Sequence, residues 1–284
     1  MNKSNKSPQD TKEVFKKCGT CSQTFGYLLN RAFDHPQKIE ELALNPLAGG
    51  IMNSGNQCGM LWGATLAVGA EAFRRHDNSD HAIAVSVTAT QHIIASFLNR
   101  TNTVNCREIT GCKLNSVFGL TKFMLKSMIT GMNNNTCFNL AEKWAPEAIQ
   151  TASDSLAEEP IHLSQQPISC ASEVVKKMGA SKEEMVMVSG FAGGLGLSGN
   201  ACGALSATIW MATLKWCKDN PGKNPPFLNN AKAKKILKTF YKATDSEILC
   251  KNICGQSFKT IDEHTVYIQN GGCKNLINIL ANSS

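Results

Sequence analysis

The 284-residue sequence lacks long hydrophobic runs and is poor in aromatic side chains. Its longest apolar stretch, Met60 to Ala70, is shorter than the roughly 20 residues that a helix needs to cross a bilayer. The first 17 residues are polar and rich in lysine, without the apolar segment of a secretory signal. We therefore expect a cytoplasmic protein with no membrane contact.

Several binding motifs are also missing. The six histidines form no H-x-x-x-H or H-E-x-x-H pattern. The glycines of Gly194 to Gly199 match a dinucleotide-binding string, but the equivalent segment earlier in the chain has lost the middle glycine, and no acidic residue follows at the required distance. No recognised nucleic-acid motif accompanies the basic residues. We therefore predict that the protein binds neither NAD nor nucleic acid.

Positive charge is concentrated in one region. Residues 215–259 contain ten lysines and three acids, an excess equal to the net charge of +7 for the whole chain. Within it, apolar residues at Ile236, Leu237, Phe240 and Tyr241 follow a helical spacing with lysines around them. This pattern is typical of a solvated helix face, and it would also suit an acidic redox partner protein.

Cysteine is abundant, with 12 residues. A chain of this length does not need disulfides for stability, and thiols stay reduced in the cytosol. The cysteines therefore favour metal binding or redox chemistry over structural bridges.

An internal repeat gives the cysteines an order. The segments that lead to Cys58 and Cys202 share the Ala-Gly-Gly, Ser-Gly-Asn and Cys-Gly elements at an offset of 144 residues, and the same offset relates Cys106 to Cys250. Each half carries four cysteines in matched order, which are Cys21, Cys58, Cys106 and Cys137 in one and Cys170, Cys202, Cys250 and Cys273 in the other.

The patterns between these cysteines predict helices. Apolar, Ala-rich stretches follow both Cys-Gly pairs, and residues 83–88, which alone would suit a strand, align with the lysine-rich helical segment. We predict an all-α helical bundle built from two pseudo-symmetric repeats that pack as an internal dimer. The expected organisation is a polar tail at 1–17, a first repeat at 18–160 and a second at 161–284.

Cys58 and Cys202 are the best candidates for reactive thiols. Each is expected about four residues into a helix that starts at Ser54 or Ser198, where free backbone N–H groups and the helix dipole would stabilise a thiolate. Four thiolates would suit an iron–sulfur cluster or tetrahedral zinc, but the spacings of 37, 48 and 31 residues in the first half match no zinc ribbon or ferredoxin run.

These residues resemble the redox-active protein family named for its C-GCAxxG-C-C cysteine pattern. The resemblance is carried by Cys21, the Gly55–Gly69 segment around Cys58, Asn105–Gly111 and Cys137, and in the second copy by Cys170, the segment from Gly199 around Cys202, Cys250–Gly255 and Cys273. It implies a small helical module with a redox role, and the related split-Soret cytochromes imply that such a fold can hold an iron–sulfur centre. Haem is not expected, because Cys18-Gly-Thr-Cys21 is followed by Ser22 rather than histidine.

The leading hypothesis is that one or both sets of four cysteines bind an iron–sulfur cluster for electron transfer. A metal-free thiol–disulfide oxidoreductase and a structural zinc-binding interaction protein remain as alternatives. Cys18, Cys112 and Cys254 are alternate ligands or resolving thiols, and Cys18 with Cys21 is a further candidate redox pair.

Overall fold

The computed structural model describes residues 10–131, 134–158, 165–226 and 230–283. Within these residues every regular element is helical, which confirms the all-α prediction. The helices of the first half are α1 (Thr11–Cys18), α2 (Cys21–Ala32), α3 (Lys38–Ala43), α4 (Gly59–Arg75), α5 (Ser79–Thr101), α6 (Cys106–Thr110), α7 (Val117–Thr130) and α8 (Thr136–Ser155). Those of the second half are α9 (Cys170–Lys177), α10 (Lys182–Met187), α11 (Gly203–Asp219), α12 (Ala231–Ala243), α13 (Cys250–Cys254), α14 (Ile261–Gln269) and α15 (Lys274–Ala281).

The second half repeats the element order of the first from α2 onward. Helices α2 to α8 correspond in sequence to α9 to α15, and a short 3₁₀ turn precedes the Gly-rich loop in each half, at Asn45–Leu47 and Ser189–Phe191. Residues 83–88 lie in α5, and its counterpart is the lysine-rich α12, as predicted. Helix α1 has no counterpart among the described residues of the second half, and most of it lies in the segment expected to be a polar tail.

Two local predictions differ from the structure. The helices expected to start at Ser54 and Ser198 begin instead at Gly59 and Gly203, because a tight left-handed turn occupies the preceding loop. The segment Met185-Val-Met-Val before the glycines of Gly194 to Gly199, which suits the strand of a dinucleotide-binding motif, lies mostly in the helix α10. From its sequence pattern the lysine-rich helix is expected to start at Leu228, and that residue lies outside the described residues, as does most of the junction between the two repeats.

The loops before α4 and α11 have an uncommon backbone. Five consecutive residues have positive φ in each, at 49–53 and at 193–197, and they include Ile51 and Leu195. Left-handed backbone costs a non-glycine residue about 1–2 kcal/mol, so such runs are rare. Glycine makes the turn possible: a Cβ on Gly49 would lie 2.8 Å from the Cα of Asn53. Strain retained at the same place in both halves suggests a shared functional demand.

The two halves pack directly against each other. Helix α4 contacts α10, and α11 contacts α3, so each half offers equivalent elements to the other. The close approach of α4 to α10 depends on Gly69. A Cβ added at Gly69 would lie 2.4 Å from the carbonyl oxygen of Met187 at the end of α10. At the centre the buried amide of Gln57 donates to the Gly194 carbonyl and accepts from the Ala201 N–H, both at 2.9 Å.

Aromatic residues fill the core of the first half. Trp144 stacks on Phe25 with ring centroids 4.8 Å apart and meets Phe97 edge-on at 4.6 Å. Trp62 reaches across to Phe191 of the second half at 4.9 Å. Among the described residues, α5 alone is long and apolar enough to span a membrane, and most of it is buried inside the fold.

Candidate functional site

All eight repeat-related cysteines lie at the N-termini of helices. Cys21, Cys106, Cys170 and Cys250 are the first residues of α2, α6, α9 and α13; Cys58, Cys202 and Cys273 are the N-cap residues of α4, α11 and α15; and Cys137 is the second residue of α8. A helix N-terminus presents unpaired N–H groups and the positive end of the helix dipole. Four such ends occur in each repeat, where their N–H groups oppose the effect of burial, which raises the pKa of most of these thiols.

Backbone pairing holds the second and third cysteines together in both repeats. An isolated antiparallel bridge joins Gln57 to Asn105, and its counterpart joins Ala201 to Leu249. In the first repeat the Cys58 N–H donates to the Val104 carbonyl at 2.8 Å. The matching bond of Cys202 in the second repeat measures 2.9 Å, so the two sites share one backbone frame.

In the first repeat, Cys21 and Cys58 form a hydrogen-bonded pair. The thiol of Cys58 and the backbone N–H of Gly49 both donate to the Cys21 sulfur, and these bonds lower its pKa to about 7 despite full burial. The same pairing, together with burial, raises the pKa of Cys58 well above its usual range. The glycine at position 59 leaves room for this contact, because a Cβ there would lie 2.6 Å from the Cys21 sulfur.

Three further cysteines complete the first cluster. Cys58 interacts electrostatically with Cys106 and Cys137, and both of these interact with Cys112. Burial raises the pKa of Cys106 to about 12 and raises that of Cys137 as well. The first repeat therefore gathers five cysteines, of which Cys112 is outside the set of four matched by the repeat.

The second repeat also gathers five cysteines. Burial raises the pKa of Cys170 to about 12, opposed by a hydrogen bond from the Gly193 N–H, which is the counterpart of the Gly49 bond. Burial raises the pKa of Cys202 to about 11, although the N–H groups of Leu205 and Ala204 at the start of α11 donate to its sulfur. Both cysteines interact electrostatically with Cys254.

Cys254 is the central sulfur of a row of three. Its sulfur lies 3.7 Å from that of Cys250 and 3.7 Å from that of Cys273. Hydrogen bonds from these two thiols and from the Tyr267 hydroxyl lower the pKa of Cys254 to about 3, and the pKa values of Cys250 and Cys273 rise in response. We call Cys250, Cys254 and Cys273 the trithiol.

The trithiol reaches the surface through its two partly buried members, Cys254 and Cys273. A cavity of about 400 Å³ opens beside Cys273 and is lined by Tyr267, Lys274 and the residues that follow α12. Cys273 has a φ of +56°, an uncommon conformation for a non-glycine residue that is often found at functional sites. Tyr267 lies six residues before Cys273, the fourth cysteine of the second repeat. In the first repeat, the residue six positions before the fourth cysteine is Gly131.

Cys18 and Cys217 lie apart from both clusters. The main electrostatic neighbours of these thiols are Glu41 and Glu40 rather than cysteines, and burial raises both pKa values to about 11. The hydrogen-bonding partner of Cys21 is Cys58, so Cys18 and Cys21 do not form the activated pair that their spacing suggested.

Ligand geometry for a single metal ion is not formed. In the described parts of the chain, no group of three or more His, Cys, Asp or Glu side chains converges closely enough to hold an ion. The donor type and number nevertheless suit a cluster, because each repeat supplies five cysteine sulfurs where an iron–sulfur cluster needs four.

The sequence predicted low-pKa thiols at Cys58 and Cys202, and the pKa values differ from that expectation. Cys58 and Cys202 have raised pKa values, whereas Cys21 and Cys254 have lowered ones. The role of Tyr267 was missed, because a lone tyrosine in an amphipathic segment carries no signal of its own. Cys254 is an alternate ligand by sequence, although it follows Cys250 by only four residues, which is one helical turn.

Comparison with protein families matches most of the chain in two consecutive parts. The family described as "Putative redox-active protein (C_GCAxxG_C_C)" matches residues 19–149 and again residues 168–283. The chain belongs to this family. The C_GCAxxG_C_C match confirms the resemblance seen in the sequence and the tandem duplication, and it supports a redox role. No curated protein and no solved structure matches the chain.

Proposed function

We propose that this chain is a thiol–disulfide redox protein whose second repeat reacts through the trithiol. The observation that carries the proposal is the position of Cys254, with its sulfur 3.7 Å from the sulfurs of both Cys250 and Cys273. A thiolate flanked by two thiols at this distance combines a nucleophile with two resolving groups.

The reaction follows from this arrangement. The Cys254 thiolate attacks one sulfur of a substrate disulfide, which forms a mixed disulfide and releases the other substrate sulfur as a thiolate. The thiol of Cys273 or Cys250 then loses its proton and attacks the Cys254 sulfur, which releases the second substrate thiolate. The substrate disulfide gains two electrons, and the protein ends with one internal disulfide.

The lysines of α12 would favour an anionic or acidic substrate. Helix α12 carries five exposed lysines, while the cavity beside Cys273 has a mixed charge, because Lys274 lines it together with Asp245 and Glu247. The lysines of α12 would raise the rate of encounter with a partner of opposite charge. We therefore extend the proposal to an acidic redox partner protein that docks on the α12 face.

Reaction with glutathione disulfide tests this function. The fully reduced protein is expected to lose two free thiols, while Cys254→Ser loses none over the same time. Cys217→Ser is the matched control, since Cys217 is buried apart from both clusters, and it should behave as the unsubstituted protein. Equal thiol loss in Cys254→Ser and Cys217→Ser would overturn the proposal.

A second candidate, iron–sulfur cluster binding, is favoured by a different observation. Gly49 and Gly193 donate equivalent N–H···S hydrogen bonds to the first cysteine of each repeat, and such bonds tune cluster potentials. The residues that would hold a cluster are Cys21, Cys58, Cys106 and Cys137, and Cys170, Cys202, Cys250 and Cys273. A bound cluster would supply one-electron transfer.

Anaerobic purification followed by metal analysis separates the candidates. Stoichiometric iron with a visible and EPR-active chromophore supports the cluster. Stoichiometric zinc supports the structural alternative, for which no converging ligand group is formed in the described residues. Metal-free protein that still exchanges thiols supports the trithiol reaction.

A further inference from the structure

Helix α7 presents an apolar face that the fold leaves uncovered. Six large apolar side chains on it are more than half exposed, which are Val117, Phe118, Met124, Leu125, Met128 and Ile129. At about 100° per residue these six positions span an arc of about 140°, so they form one continuous stripe along the helix. An apolar stripe of this kind on a folded protein marks a docking surface.

The opposite side of α7 is its less exposed side, as far as its side chains are described. Gly119 and Ser127 are buried there, while Leu120 and Phe123 are half-buried. Six of the eight large apolar side chains described on α7 are therefore exposed, and only Leu120 and Phe123 are half-buried. This placement reverses the usual arrangement of a surface helix.

The repeat shows that the fold does not require this stripe. The segment between the third and fourth cysteines is eight residues longer in the first repeat than in the second. The counterpart helix α14 is only nine residues long, carries Asp262 and Glu263 in its first turn, and buries Ile261 and His264. The exposed apolar stripe is thus an addition specific to the first repeat.

The charged residues around α7 indicate what kind of partner the apolar stripe binds. No acidic residue occurs between Glu108 and Glu142, whereas Lys113, Lys122 and Lys126 are exposed in that interval. By helical angle, Lys122 lies about 20° and Lys126 about 60° beyond one edge of the apolar arc. Lysines in this position can extend their ammonium groups to anionic headgroups while their stems follow the apolar surface.

These features fit a lipid surface better than other occupants. A second copy of the chain would bring lysines of the same sign together, and α7 contains no Trp, Tyr or Arg of the kind that anchors protein interfaces. The helix has 14 residues, a length of about 21 Å, which is too short to span a bilayer but suits a helix lying in the interface.

We propose that α7 docks the protein on anionic membrane surfaces by inserting its apolar stripe between lipid headgroups. Docking requires only that the exposed stripe of Val117 to Ile129 meets the acyl boundary while Lys122 and Lys126 meet the headgroups. It departs from the expectation of no membrane contact. Because Cys112 and Cys137 flank α7 in the chain, docking would bring the first cysteine cluster close to the membrane surface.

Sedimentation of the full chain with vesicles tests the proposal. The protein is expected to sediment with equimolar phosphatidylcholine and phosphatidylserine, and less with phosphatidylcholine alone. The double variant Phe118→Asp, Ile129→Asp should lose about tenfold or more of this partitioning. Lys122→Glu with Lys126→Glu should lose the preference for the anionic vesicles. Ile39→Asp, on an exposed apolar residue of α3, is the matched control and should bind normally.

Other outcomes would overturn the proposal. One is the absence of sedimentation with either vesicle, and another is equal vesicle binding by the Phe118→Asp, Ile129→Asp variant and by the Ile39→Asp control. A third is a protein that binds no vesicles but forms a dimer in light scattering, if the Phe118→Asp, Ile129→Asp variant is monomeric. As a direct check, tryptophan in Phe118→Trp should be quenched by brominated lipid beyond the native background. Failure of the trithiol reaction has no bearing on these results, since the two proposals concern different repeats.

Discussion

Cys254 and Cys273 come from separate helices, yet their sulfurs lie 3.7 Å apart with the Tyr267 hydroxyl bonded to both. Cys254 ends α13, and Cys273 precedes α15 in a left-handed conformation. The row of three sulfurs therefore depends on tertiary structure, while the contact of Cys254 with Cys250 is local to one helical turn.

The reactivity of Cys254 should depend little on pH. With a pKa of about 3, its thiolate is fully formed at pH 6, so its alkylation rate should stay nearly constant from pH 6 to pH 8. Cys18, with a pKa of about 11, should react about tenfold faster per pH unit over the same range. Iodoacetamide labelling read by peptide mass spectrometry measures both.

Removal of the Tyr267 hydroxyl should make Cys254 less acidic. Tyr267→Phe deletes a donor to the thiolate, so the pKa of Cys254 should rise, and the pH at which its labelling rate falls to half should move upward. Tyr241→Phe on α12 is the matched control, with no change expected. Identical pH profiles for the two variants would show that Tyr267 does not stabilise the thiolate.

Substitution of Gly49, which lies in the turn before α4, should destabilise the protein. An alanine Cβ would lie 2.8 Å from the Cα of Asn53 at a φ of +67°, so we expect a loss of about 2–5 kcal/mol in the free energy of unfolding. Gly222→Ala is the control, since its φ is +78° with nothing within 4 Å, and it should cost about 1–2 kcal/mol. Urea unfolding compares them, and equal losses would contradict the crowded turn.

Substitution of Gln57 should weaken the contact between the repeats. Gln57→Leu leaves the buried Ala201 N–H without its partner, whereas the Gly194 carbonyl keeps its hydrogen bond from the Ser198 hydroxyl, so we expect a cost of about 1–3 kcal/mol. Gln150→Leu, which removes only an exposed bond to Asp154, should change stability little. Thermal unfolding measures the difference, and similar melting temperatures would argue against a structural role for Gln57.

Charge reversal on α12 should slow the reaction with anionic disulfides selectively. Lys238→Glu with Lys242→Glu should reduce the exchange rate with glutathione disulfide several-fold at low salt, because electrostatic steering is lost. The rate with neutral hydroxyethyl disulfide should not change. An equal effect on both substrates would show that the substitutions alter the trithiol rather than the encounter.

The sequence predicted the fold and the membership of the clusters better than their chemistry. The matched order and spacing of the cysteines paired Cys58 with Cys106 and Cys202 with Cys250. The structure has an antiparallel bridge next to each pair, because the same backbone pairing forms in both repeats. The start of α4 was misplaced, since nothing local to Ser54 indicates that residues 49–53 adopt positive φ. The lowered pKa of Cys254 depends on Tyr267 and Cys273, whose approach is set by packing that spacing alone does not encode.

The location of the first disulfide tests the central claim most directly. Reduced protein is oxidised with limiting glutathione disulfide, blocked with an alkylating reagent and mapped by peptide mass spectrometry. We predict a bridge that contains Cys254, joined to Cys250 or to Cys273. A first bridge that excludes Cys254, or no bridge in metal-free protein, would contradict the proposed trithiol reaction.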